Sequence, residues 1–316
     1  MKYYADDVNL HARIHAMRSR LIPPEGYAPL LRDQDASYEK GSGPHGMIEA
    51  KETLFRDQIK AIIHLAEATR RYAPLFIAFL RLYEADNAKT ILAKAFGRQG
   101  SEQWYDIGPY ATLDKSLLDR DLSPDDVREA VAETYLSDIF EGEAIYESLE
   151  TRVDILAVRN LYAASAPFSP EARRTFRDFV LRRLAVLMVI REWRLRVNYG
   201  WSDERIGNYR DELGALFGEI AWPQLTMVEG VLGGRFEEMG KGSGQTPDPA
   251  DVESYLEHYY YRWASSMFHK DFHSIHCVVA YLWLLSCQIR NLFRITEGIR
   301  FGMSHEAILE TMISDV

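Results

Sequence analysis

Apolar residues along this chain recur at three- and four-residue spacing almost throughout and alternate strictly almost nowhere. That periodicity predicts an all-α protein. A first amphipathic helix is expected over residues 8–21, stopped by Pro23 and Pro24, because the ring removes a donor and clashes with the preceding turn. A short second helix follows around 27–31. Residues 33–46 are rich in Gly, Ser and Asp and carry little to pack, so a mobile loop is expected there. Helices are then predicted from about 54 to 72 and from about 74 onward. In the second of these Leu80, Glu84, Ala88, Ile91, Leu92, Ala95 and Phe96 keep the helical rhythm.

The pattern repeats on a larger scale. Three long apolar-periodic stretches end at Gly97, Gly200 and Gly302, about one hundred residues apart. A glycine there suits a helix end whose next residue must turn left-handed. Ser101, Ser202 and Ser304 follow, each able to accept from the free amides of a new helix. The first helices of the second and third stretches open near Val153 and Val252. The glycine-rich run 240–251 reads as a linker, and Ser123 before Pro124 as a second boundary. The expectation is three similar helical units over 1–122, 123–240 and 241–316. Asn87 and Asn291 lie inside helical runs, where asparagine is a poor helix former, and are read as ties between helices of a unit.

Composition narrows the function. With 316 residues, 47% of them apolar, the chain can bury a proper core. The formal net charge of -10 speaks against gripping nucleic acid, whose phosphates need a concentrated basic surface. The arginine-dense region from Arg173 to Arg196 scatters round its helix when placed at 100° per residue, which favours ion pairs over a stripe for an acidic partner or lipid headgroups. Acids at the amino terminus, where an export signal would be basic and then apolar, predict no export. The uncharged run from Cys277 to Cys287 falls short of the roughly 20 residues of a spanning helix. Those two cysteines would sit about 15 Å apart on one helix, too far for a disulfide, and read as small core residues in a reducing compartment.

Catalytic motifs are scarce. No phosphate-binding loop, dinucleotide fingerprint or nucleophile elbow appears, so no cofactor and no small-molecule substrate are expected. His269, His273 and His276 are spaced as zinc ligands on a helix could be, with Asp271 nearby. Lys270 stands where a metalloenzyme would place its glutamate base, which favours ordinary loop or interface histidines. His11 and His15 share the spacing but lack a third ligand. The aromatic run Tyr259, Tyr260, Tyr261 and Trp263 reads as packing, with a protein interface as the alternative.

Three places carry a family resemblance. Val278-Val279-Ala280-Tyr281-Leu282, then Gln288-Ile289-Arg290-Asn291-Leu292 and Gly302-Met303-Ser304-His305-Glu306-Ala307-Ile308, resemble the last repeat of the C/d subunit of V-type and archaeal-type rotary ATPases. Residues 3–21, with Asn9, Ala12, Arg13, Met17 and Ser19, resemble that family's first helix, and Leu82-Tyr83-Glu84-Ala85-Asp86-Asn87-Ala88-Lys89 its first internal Asn motif. Two departures stand out: Leu187-Met188-Val189-Ile190 lacks the acid and Asn-Leu pair, and Gln288 replaces an acid. The resemblance implies a funnel of pseudo-threefold symmetry without an active site. It also implies a cytoplasmic subunit, peripheral to the membrane, that joins the D/F-type central stalk to the proteolipid ring so that rotation couples ATP turnover to ion transport. From the residues alone, a helical-repeat scaffold and a helical metalloprotein using His269, His273 and His276 stay open.

Overall fold

The computed structural model describes residues 3–38, 44–99, 103–142, 145–214, 216, 248–270 and 274–314. All regular structure among them is helical. The helices are α1 (Tyr3–Arg18), α2 (Tyr27–Tyr38), α3 (Pro44–Ala68), α4 (Ala73–Ala95), α5 (Pro124–Val131), α6 (Tyr146–Ala163), α7 (Pro170–Tyr199), α8 (Asp203–Gly214), α9 (Pro249–Lys270), α10 (Ile275–Arg300) and α11 (His305–Glu310). The expected loop over 33–46 is a correction. Helix α2 runs on to Tyr38 because nothing in Asp33-Gln34-Asp35-Ala36-Ser37 breaks it, and α3 begins at Pro44, a first-turn position where the missing N–H costs nothing. Residues 39–43 and 240–247, with most of the linker, lie outside the described residues, as does Ser101.

The predicted caps form where they are described. Ser123 and Asp126 make a reciprocal capping box before Pro124, Ser202 accepts from the amide of Arg205, and Ser304 accepts from that of Ala307. Each satisfies donors that the first turn cannot pair internally.

By contact the chain forms two compact units. One comprises Met1–Asn87, Ser101–Ala111 and Glu257–Val316, the other Ala88–Gly100 and Thr112–Leu256. This is a spatial division; the threefold echo is one of sequence.

In the first unit α10 is the central element, packed by α1, α2, α3 and α11. Its first half is apolar nearly all round, and from Cys277 to Ile289 every side chain is buried, as expected when a helix is enclosed by others. By length and composition α10 is also apolar enough to cross a bilayer, but 89% of its most apolar window is covered by the rest of the fold. Both cysteines are buried there as free thiols. At the foot of α10, Tyr27, Leu31, Ile295, Ile308 and Met312 form one apolar cluster. Gly298 lets α11 approach: a Cβ there would lie 2.4 Å from Cγ1 of Ile308. Gln288, the residue in the acid's place, accepts from the Ile22 amide at 2.6 Å and donates to Oε1 of Gln58 at 2.5 Å. A carboxylate could make the first bond but not the second.

In the second unit α6 and α7 pack as an antiparallel pair, with the turn at 137–140 against α6. Arg152 is 1% exposed, yet it donates to the Ile139 carbonyl at 3.2 Å and lies against Gly142, whose φ of 86° brings the backbone close. The arginines of α7 are spent locally, as the sequence suggested. Arg173 donates to the carbonyls of Ala166 and Phe168, Arg177 lies over the Tyr162 ring, Arg182 pairs with Asp178, and Arg196 with Asp203.

Candidate functional site at the ends of the long helices

The three glycines that end α4, α7 and α10 all adopt left-handed backbone, with φ of 65°, 64° and 67° for Gly97, Gly200 and Gly302. A Cβ added at any of them would meet nothing within 4 Å, so the glycine is demanded by φ and not by space. Around Gly97 and Gly302 the closure is the Schellman pattern. Arg98 N–H reaches the Ala93 carbonyl and Gly97 N–H that of Lys94, as Met303 and Gly302 reach Gly298 and Ile299. The middle end is wider: Gly200 reaches Arg196, and Trp201 reaches Leu195.

An aromatic residue precedes each glycine. Phe96 packs on the Tyr146 ring at 5.8 Å, whereas Tyr199 is 67% and Phe301 72% exposed. Exposed aromatics at a rigid helix end are candidates for contact with another protein, since such residues anchor interfaces.

Behind each end a side chain ties the long helix to the chain that follows. Asn87 donates to the Tyr105 carbonyl and accepts from its amide, both at 2.8 Å. Asn291 treats Ile313 the same way, at 2.9 Å and 2.8 Å. An amide side chain carries an NH2 donor group and a carbonyl acceptor in one plane, so it mimics a strand neighbour for a single residue. In both cases the partner is backbone beyond the helix and not a second helix.

The middle repeat carries the same device in different chemistry. Ile190-Arg191-Glu192 matches Ile289-Arg290-Asn291, lying about one helical turn nearer its glycine. Glu192, 4% exposed, binds Arg210 of α8 through both carboxylate oxygens, one at 2.6 Å. The preceding arginines also correspond. Arg290, with Arg294, grips Glu257 of α9 at 2.5 and 2.6 Å, and Arg191 contacts the Glu147 carbonyl at 2.8 Å and the Glu150 carboxylate at 3.4 Å on α6. Residues 187–190 hold no Asn-Leu pair, so the family pattern does not mark this site. The recurring Ile-Arg dipeptide is the signal that finds it.

Beside the Gly200 end, within the second unit, opens a cavity of about 710 Å³ between α6, α7 and α8, a size that accommodates a small ligand or a few side chains. Buried Leu195 and Tyr209 line it with Ile145, Tyr199 and Trp201, and its charges are Arg191, Arg194 and Arg205 beside Glu147 and Glu150. Burial opposes the charge on Arg191, but Tyr209, Asp154 and Glu150 outweigh it and hold the guanidinium above its usual pKa. Burial likewise pushes the phenol of Tyr146 up, helped by its 2.8 Å bond to the Glu150 carboxylate.

His269 is exposed at the end of α9 with its ring against Phe268, His276 bonds Ser274 Oγ at 2.8 Å in the first turn of α10, and His273 lies outside the described residues. Among the described residues no group of three metal-ligating side chains is found. Tyr260 and Tyr261 are buried, the former 5.8 Å from the Trp283 ring, so this part of the aromatic run packs the interior.

An all-helical chain with a repeated long helix, a left-handed glycine at each end and a tie behind it is a shaped body whose ends are its distinctive chemistry. Residues 10–311 match the ATP synthase (C/AC39) subunit family, and the chain belongs to it. That family consists of subunits of the membrane-associated V/A-type rotary ATPase complexes. No curated protein matches the chain.

Proposed function

We propose that this chain is the non-catalytic rotor subunit that seats the central stalk, through its D/F-type subunits, on the membrane proteolipid ring. Rotation then passes through it between ATP turnover and ion transport, and the protein works on the cytoplasmic side, peripheral to the membrane. The observation that carries this reading is the family match over 10–311, which spans all three helix ends. Three related but unequal units, divided near 122 and 240, would wall a funnel that matches a broad ring to a narrow stalk. The rigid glycine-capped ends of α4, α7 and α10 suit such a coupling, because fixed backbone presenting aromatic side chains transmits force without a hinge.

Copurification tests it. The chain should elute from detergent-solubilised membranes of its host in stoichiometric amount with proteolipid, stalk and ATP-hydrolysing head subunits. Recovery only as a free monomer, in cells whose stalk and ring are assembled, would overturn the proposal.

A further inference from the structure

The cavity beside Gly200 has an uneven charge account. Of the acids that line it, Glu147 pairs with Arg98 at 3.0 Å and Glu150 with Arg191. Of the arginines, Arg191 is bound to those acidic residues of α6 and Arg194 to Glu253. Arg205 differs. Its guanidinium lies 3.9 Å over the Trp201 ring, the residue is exposed, and among the described residues it has no carboxylate partner. The ring in turn stands edge-on to buried Tyr209 at 5.6 Å, so the cation is held in place and not waving in solvent.

Beside Ser148 and Asn208 the rim carries an exposed apolar stretch: Ile145 is 48% and Tyr199 67% exposed, near the buried side chain of Leu195. One oriented cation beside an open aromatic and aliphatic wall selects a carboxylate carried next to an apolar group. A lipid surface is a poorer match, because headgroup binding draws on several cations at once and the chain is acidic overall.

We infer that this cavity receives a protein segment in which an aspartate or glutamate adjoins an aliphatic or aromatic residue. The acid binds Arg205 in the plane of its guanidinium, and the apolar neighbour covers Ile145, Tyr199 and Leu195. The inference rests on the proposed function in one respect, that the segment belongs to another subunit of the rotary complex. Arg205 is then the determinant of this contact, while Arg191 and Arg194 shape the wall.

The test places a photoactivatable benzoylphenylalanine at position 145 of the full chain in the assembled complex, with the crosslinked peptide read by mass spectrometry. A crosslink to another subunit at an acid-plus-apolar segment is expected. Arg205→Gln should lower its yield at least about tenfold at unchanged Tm, since a charge-assisted hydrogen bond is worth roughly that factor. Converting the partner's acid to its amide should do the same. The inference falls alone if the complex is intact but position 145 gives no crosslink. It also falls alone if the crosslink goes to lipid, to this chain's own residues 217–247 or to a segment without an acid, or if Arg205→Gln leaves the yield unchanged. A wild-type chain that never enters the complex overturns both this inference and the proposed function.

Discussion

Replacing Asn291 with leucine removes the two-pronged hold on Ile313 while keeping the same branched arrangement of heavy atoms. Asn291 and Ile313 are each 1% exposed, so the amide and carbonyl of Ile313 lose their partners in a dry place. If the carboxyl-terminal segment stays put, the two orphaned groups cost about 1–3 kcal/mol each. If it peels away, burial of Met312 and Ile313 is lost at about 1.5–3 kcal/mol per side chain. Peeling, however, returns roughly 1–2 kcal/mol of chain entropy for every freed residue. The second route is therefore cheaper, and the penalty should settle near about 2–3 kcal/mol. Denaturant titration reads the magnitude, and amide hydrogen exchange reads the route, through lost protection at Ile313 while the centre of α10 stays protected. Assembly should suffer less than stability. Stability within about 0.5 kcal/mol of wild type together with lost binding to the ring would refute this ordering, because it would make Asn291 a contact residue and not a tie.

Further expectations follow from single contacts. Burial raises the phenol of Tyr27 from 10 to about 12, partly countered by its hydrogen bond with Asn291. The neutral form is thus favoured in the folded state, and its contribution is complete below pH 10 and lost as pH rises through 12. At about 1.4 kcal/mol per pH step, Tyr27→Phe should flatten the alkaline limb of stability by up to roughly 2–3 kcal/mol; an unchanged limb would contradict the assignment. Gly302→Ala should cost about 1 kcal/mol through φ alone, whereas Gly298→Ala should cost about 1–3 kcal/mol through overlap with Ile308. Only the second should be relieved by adding Ile308→Ala, which a double-mutant cycle in urea would show. Glu192→Gln should destabilise by about 1–2 kcal/mol, less than a fully buried pair because Arg210 is 32% exposed and can turn to water. A loss that does not shrink in high salt would argue against the ion pair as its source.

Much of the fold was legible because helix periodicity and helix ends are local. The breaks at Pro23 and Pro24, the capping serines at 123 and 304 and the left-handed glycines at 97, 200 and 302 depend on residues within a turn of themselves. The same locality explains the difference over 33–46: polar composition suggests a loop, but composition without a breaker does not end a helix. The site was less legible. Asn87 and Asn291 could be singled out as misfits in helices, but their partners lie 18 and 22 residues onward in irregular chain with no pattern of its own. Glu192 hid because an ion pair replaced an amide clip, and substituting one chemistry for another erases the motif while keeping the role.

The sequence by itself determined an all-helical chain, the three glycine-terminated repeats and the family resemblance, since all three rest on spacing along one dimension. Tertiary structure alone decided which charges are spent and which are offered. Arg191, Arg194 and Arg205 look alike in the chain, but two face acids on other helices and the third faces an indole ring. Charge compensation is a matter of distances of a few ångströms, and those are set by which helices pack together.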